Sequence, residues 1–439
     1  MHWTRTGVPF PAPRILAALL LALGSFAAMG CAPDTPARPD LILITIDRLA
    51  ADRLACFGGP AGAGSRLCEL ADGGTLFAWA TTPALAEAPA AASALTGLEP
   101  RAHGLDDRGL SFLADRHETI AESLARAGYT TAAFVASERL NRSRRLDQGF
   151  AHYADPPPPA RVPRSAIRVT EPDAIERWIE ETRRPYFVWI HTQAGAGLGE
   201  LDRLIDRLAH RLRDAERRPG VLLVALAGER DGERSAADSN QQREGIELRS
   251  HRIPLIWRAP SSTGAGGGEP APRVIWRLAS VLDVPATLRA AASVPPRPRL
   301  EGERRGPLGR DLTTLLRPQE AIAGEQRADG GADDERFLLL RERLDSGEVG
   351  IASGPHLYVR PASPRDGSGR PMPTSELPSL GARFVTIAPP TETARETGRI
   401  ARLEPRPWRR DVLSTSSPVP RLEFHLARKL ADLPAGESE

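Results

Sequence analysis

The sequence predicts an α/β fold: a mainly parallel sheet sandwiched by helices, followed by a smaller C-terminal subdomain. Three observations predict it. Continuous β-branched and leucine-rich runs of strand length recur, of the kind that fills strands buried on both faces. Segments with apolar residues at helical spacing lie between them. The order helix, glycine, strand repeats along the chain, as expected for a sheet covered by helices on both sides.

The first run, Leu41-Ile42-Leu43-Ile44-Thr45-Ile46, reads as a buried parallel strand. Residues 117–127 carry Ile120, Ala121, Leu124 and Ala127 on one helical face and stop at Gly128, after which 131–135 form a second strand. The pattern then predicts a helix over 173–181, a strand over 186–190, a helix over 198–217 and a strand over 221–226. Proline- and glycine-rich stretches at 156–159, 261–272, 295–299 and 324–334 read as surface connections. Beyond about residue 320 the periodicity weakens, apart from short runs at 337–340 and 384–387.

The bulk numbers narrow the function. A chain of 439 residues with 41% hydrophobic residues is long enough for a large core and allows two or three domains. Its 58 basic and 56 acidic residues give a formal charge of +2. A nucleic-acid-binding face needs a cationic excess, so this balance argues against that partner.

The N-terminus predicts export. Arg5 and Arg14 precede an apolar run over 15–28, shorter than the ~20 residues needed to cross a bilayer. A charged start, a short apolar stretch and small residues after it describe a secretory signal over 1–30. Ala28-Met29-Gly30-Cys31 resembles the lipobox of bacterial lipoproteins, in which the cysteine is acylated after cleavage. Cys31 is therefore the expected lipidation site, with 31–38 as a tether and the membrane as a partner through the lipid anchor. The bacterial cell envelope is the expected location. Cys56 and Cys68 flank a glycine-rich loop that can fold back, and in an exported protein they are candidates for a disulfide. No His or Cys neighbours them to suggest a metal site.

The first strand ends in Ile46-Asp47-Arg48-Leu49, followed by Ala51-Asp52-Arg53-Leu54-Ala55-Cys56-Phe57-Gly58. Together with Leu95-Thr96-Gly97, His103-Gly104, Asp147-Gln148-Gly149-Phe150, Ile253-Pro254-Leu255-Ile256 and Asp283-Val284-Pro285, in that order, this resembles the sulfatase-like family of the alkaline-phosphatase superfamily. The resemblance implies a sulfatase-like α/β domain over 39–320 and a smaller, loop-rich C-terminal region over 321–439.

It also implies where chemistry would sit, and there this chain departs from the family. Counting back from Leu95-Thr96-Gly97, the nucleophile position, which in sulfatases is a Cys or Ser converted to formylglycine, is Glu87, and the family's Arg or His position is Ala91. In place of the family's metal-binding Asp-His pair stand Gly228 and Glu229, with Asp231 as an Asp only after a slip in register. The family's loop after the 186–190 strand is replaced by Ala194-Gly195-Ala196-Gly197. Asp47 is retained as a candidate metal ligand, with Glu229 and Asp231 as weaker ones and His191 as a candidate acid or ligand. His103 reads as structural.

The expected protein is thus a catalytically degenerate sulfatase-like envelope lipoprotein, a binding or assembly component with an envelope protein partner and no cofactor. The alternative is a sulfuric or phosphoric ester hydrolase with a rearranged site, using a divalent cation, calcium or magnesium, with Asp47, Glu87, Glu229 or Asp231, and His191. A third reading is a purely structural lipoprotein. Asp47, Glu87 and Glu229 would repel one another if left uncompensated. Arginine forks are the expected remedy, with Arg48 and Arg230 adjacent in sequence.

Overall fold

A computed structural model of the chain describes residues 2, 38–155, 172–193, 198–213, 217–229, 248–262, 273–296, 308–316, 338–340, 348–353, 356–361, 383–387 and 405–407. The expectations for Cys31 and the N-terminal signal, for Arg230 and Asp231 and for the 194–197 loop lie outside these residues.

Among the described residues, ten strands precede residue 300: β1 (Leu41–Ile46), β2 (Thr75–Thr81), β3 (Thr130–Val135), β4 (His152–Ala154), β5 (Tyr186–Thr192), β6 (Arg217–Arg218), β7 (Gly220–Ala225), β8 (Leu255–Arg258), β9 (Ser261–Ser262) and β10 (Arg273–Ser280). Eight of them form one sheet in the order β10-β2-β8-β7-β1-β5-β3-β4. All described pairings in it are parallel except those of β8, which runs against both β7 and β2. The four runs read from the sequence are adjacent at its centre, as β7-β1-β5-β3. Every residue of β1, β5 and β7 is buried, which is why these strands carry no polar alternation. Tyr186, Phe187 and Trp189 supply the bulk of β5, and Phe150 stacks on the last two.

Among the described residues, six helices of about two turns or more accompany the sheet: α1 (Ser65–Asp72), α2 (Glu87–Thr96), α3 (Ile120–Arg126), α4 (Pro172–Glu181), α5 (Leu198–Arg213) and α6 (Val284–Ala291). α3 is shorter than the periodicity predicts, because Thr119 caps it: the Thr119 side chain accepts from the Glu122 amide at 3.1 Å and Glu122 accepts from the Thr119 amide at 2.8 Å. Thr119→Ala should cost about 1 kcal/mol in urea unfolding and Thr119→Ser much less. The described part of α5 runs to Arg213, and Arg217–Arg218, expected at the end of that helix, instead pairs with Ser261–Ser262 as a two-stranded ribbon.

A disulfide joins Cys56 to Cys68 and ties the turn after β1 to α1. Towards the C-terminus, β11 (Leu338–Leu340), β12 (Glu348–Ser353), β13 (His356–Pro361), β14 (Arg383–Ile387) and β15 (Pro405–Pro407) form a second, antiparallel sheet. Both apolar runs noted beyond residue 320 are strands of it.

Candidate functional site

In an open α/β sheet, ligand sites lie beyond the carboxyl ends of the strands. Here those ends are stitched together by backbone bonds. The Asp47 amide donates to the Thr192 carbonyl at 3.0 Å, that of Leu226 to Ile46 at 2.7 Å and that of Leu49 to Ala227 at 2.7 Å. Asp47, Thr192 and Glu229 are thereby brought to one end of the sheet. Glu87, the first residue of α2, reaches it from the helix.

The register decides which side chains meet. Thr45 of β1 is level with His191 of β5, and partners in a parallel pair share a face, so both project on the same side of the sheet. Trp189, two residues earlier on β5, shares it. A buried chain of hydrogen bonds results. Trp189 Nε1 donates to Thr45 Oγ1 at 2.8 Å, Thr45 Oγ1 lies 2.8 Å from His191 Nδ1, and His191 Nε2 lies 2.9 Å from Glu87 Oε1. The Ser137 hydroxyl, just past β3, donates to the same carboxylate, and Arg139 adds its charge. A carboxylate only accepts, so Nε2 carries a proton and donates it to Glu87.

This connectivity, hydroxyl to imidazole to carboxylate, is that of a nucleophilic triad. Thr45 is fully buried at 0% exposure and no substrate can reach it, so the chain of bonds is a support for Glu87 and not a nucleophile. The carboxylate keeps about a tenth of its side-chain exposure and is the end of the chain nearest solvent. Burial pushes the Glu87 carboxyl up, but the hydrogen bond and charge of His191, with Ser137 and Arg139, outweigh it and hold the group below the usual carboxylate range. Glu87 is therefore ionised at neutral pH.

Glu229 meets different partners. Arg53 Nη1 lies 3.1 Å from its Oε2, and Arg249 Nη2 lies 3.4 Å from the same oxygen while Arg249 Nε holds Asp52 at 3.0 Å. Arginine is the counterion, as the charge argument requires, but from Arg53 and Arg249, which the fold brings in from 176 and 20 residues away. For Glu87 the partner is a histidine. Asp47 accepts the Arg48 amide at 2.6 Å, a turn-forming contact at the strand end. Nearby Arg252 is buried, lies over the Trp79 ring, and is pushed down to about 10 by that burial against the opposing charge of Asp52.

Among the described residues, the Glu87 and Glu229 carboxylates are committed to protein donors rather than held open for a divalent cation. A hard cation needs several oxygen ligands converging on one point. Glu87 is engaged by His191 and Ser137, and Glu229 by two guanidinium groups. Among the described residues no three His, Cys, Asp or Glu side chains are grouped to hold a metal. The other sequence candidate for a structural role, His103, is buried in the turn after α2, between Ser93 and the Leu105 amide.

Thr45, Ser137, Arg139, Arg53 and Arg249 were not singled out in the sequence. Thr45 left one signal, a lone hydroxyl in an otherwise apolar strand run, since a buried polar group requires a partner. The arginines left none.

The family model described as Sulfatase matches residues 39–195. No curated protein matches the sequence. Solved structures share the fold at low identity. A putative sulfatase from Bacteroides thetaiotaomicron is 12% identical, with a TM-score of 0.59 over 90% of this chain and 93% of the other. The phosphonate monoester hydrolase of Agrobacterium radiobacter is 14% identical, with a TM-score of 0.57 over 90% and 95%. An alkaline phosphatase superfamily protein from Vibrio parahaemolyticus is 14% identical, with a TM-score of 0.54 over 90% and 88%. Residues 39–195 thus match the Sulfatase family model, and the fold of the chain is similar to those of these solved structures.

Proposed function

We propose that this chain is a catalytically degenerate sulfatase-like protein, anchored at the bacterial cell envelope through an acylated Cys31, that acts as a binding or assembly component for another envelope protein. The observation that carries the reading is the state of Glu87. It stands at the family's nucleophile position, and its carboxylate is engaged by His191 and Ser137. A carboxylate held below its usual pKa is a weak nucleophile and a weak base. Glu229, in place of the family's metal-binding histidine, is neutralised by Arg53 and Arg249. Among the described residues these two carboxylates are thereby taken up by protein partners.

The test uses the full-length protein. After dialysis it should hold far less than one metal per chain, show no thermal shift with calcium or magnesium, and hydrolyse aryl sulfates and phosphates no faster than buffer. Stoichiometric metal with turnover lost in Asp47→Ala would overturn the reading in favour of a rearranged, cation-dependent hydrolase. The anchor is checked separately: wild type should fractionate with membranes and Cys31→Ser should not.

A further inference from the structure

Donors from several parts of the chain converge on the Glu87 carboxylate. His191 Nε2 lies 2.9 Å from Glu87 Oε1, the Ser137 hydroxyl donates to the same carboxylate, and Arg139 supplies a positive potential. These groups come from three separate stretches of chain: α2 carries the carboxylate, β5 the imidazole, and the turn after β3 the hydroxyl and the guanidinium. His191 and Ser137 are themselves buried at 0% and 1% exposure, so their positions are fixed by the core and not by the carboxylate they serve. Behind His191, Thr45 and Trp189 hold the imidazole in place. Donors set in a rigid shell keep their geometry when the group they bind is exchanged.

We infer that this is an oxyanion receptor whose anion is part of the chain. The Glu87 carboxylate occupies the place that a free carboxylate, sulfate or phosphate group would take, and so closes the natural protein to such ligands at the strand ends. An ester bearing one of those groups would have to displace a buried, ion-paired side chain that cannot diffuse away. The inference rests on the reading of the site as degenerate and goes beyond it: it specifies that anionic esters are not bound there at all, and that removing one carboxylate restores the binding.

The experiment compares the full chain, Glu87→Ala and Glu87→Gln in thermal unfolding with formate, acetate and sulfate titrated at fixed ionic strength. Glu87→Ala vacates the receptor, whereas Glu87→Gln keeps it filled with a group of the same shape. The unfolding midpoint of Glu87→Ala should rise saturably, by about 3 °C with formate in large excess over its Kd. Wild type and Glu87→Gln should stay flat, and adding His191→Phe to Glu87→Ala should abolish the gain. An Ala variant that folds only when formate is present supports the inference equally. An Ala variant that is insensitive to all three anions, that responds no more than wild type, or that stays unfolded with formate overturns it. Failure of the functional reading is read elsewhere, in turnover and metal content of the wild type. An active wild type would discard the degeneracy and the occlusion together, whereas an inert wild type with an unresponsive Ala variant would keep the degeneracy and discard the receptor.

Discussion

Replacing His191 by phenylalanine should destabilise the protein by about 3–5 kcal/mol at pH 7, as expected when one partner of a buried charged pair is removed. The imidazole is fully buried and donates the hydrogen bond that, with its charge, keeps Glu87 ionised against the cost of burial. Without it the carboxylate remains in the same shell with Ser137 and Arg139 alone, and Thr45 loses a hydrogen-bond partner. The pH dependence identifies the cause. In wild type the Glu87 carboxyl titrates below its ordinary value of 4.5, so the unfolded chain takes up the proton first. The pairing therefore stabilises above that value and is lost as pH falls through the lower, folded value. In His191→Phe burial acts unopposed by the imidazole and pushes the carboxyl up, so the sign reverses and the variant loses stability as pH rises from about 4.5. The gap between the two proteins in urea unfolding should widen from pH 4 to pH 7. A gap independent of pH would assign the loss to packing alone. The double variant Glu87→Leu with His191→Phe should recover much of the deficit, because an apolar pair has no charge to desolvate.

The sequence disclosed the centre of the sheet and not its flank, for a physical reason. β1, β3, β5 and β7 are buried on both faces, and uninterrupted apolar runs are hard to read as anything else. β10 carries Arg273 and Arg277 in an otherwise apolar run and lies partly exposed at the edge of the sheet, where such a segment carries a weak signal. β8 runs antiparallel, a reversal that no residue of Leu255–Arg258 announces. The candidate site was legible in the same partial way. The motif order located Glu87, His191, Asp47 and Glu229, and charge repulsion required counterions. It could not say which. Sequence neighbours such as Arg48 were the available guess, yet residues adjacent on an extended chain point to opposite faces. The partners that the fold supplies, His191 for Glu87 and Arg53 with Arg249 for Glu229, depend on strand register and loop paths that a single sequence does not encode locally.

Lowering the pH from 7 to 4 should cost the fold about 3 kcal/mol through His103 alone. This histidine lies in the turn that follows α2 and is buried at 2% exposure. The Leu105 amide donates to its Nδ1 at 3.1 Å, and its Nε2 is 3.2 Å from Ser93 Oγ. A backbone amide can only donate, so Nδ1 must be the bare nitrogen and the ring is neutral with its proton on Nε2. Protonating Nδ1 would set two N–H groups against each other at a site buried from solvent. Burial, with the charge of His117 acting the same way, accordingly pushes the group down to about 3 from an ordinary 6.5, against a hydrogen bond to the Pro89 carbonyl that raises it. Between those two values the unfolded chain binds one proton more than the folded one, so stability is complete above pH 6.5 and falls by about 1.4 kcal/mol per unit as the medium acidifies. His103→Leu removes the titration. It should be less stable than wild type at pH 7, because the Leu105 amide and the Ser93 hydroxyl lose their partner at a cost of about 1–3 kcal/mol. Its unfolding free energy should nevertheless fall less steeply between pH 6.5 and pH 4, by close to one proton's slope, so the two curves converge in acid. Parallel curves would mean that the imidazole takes up its proton in the folded state without penalty, and that the Leu105 amide does not hold the tautomer.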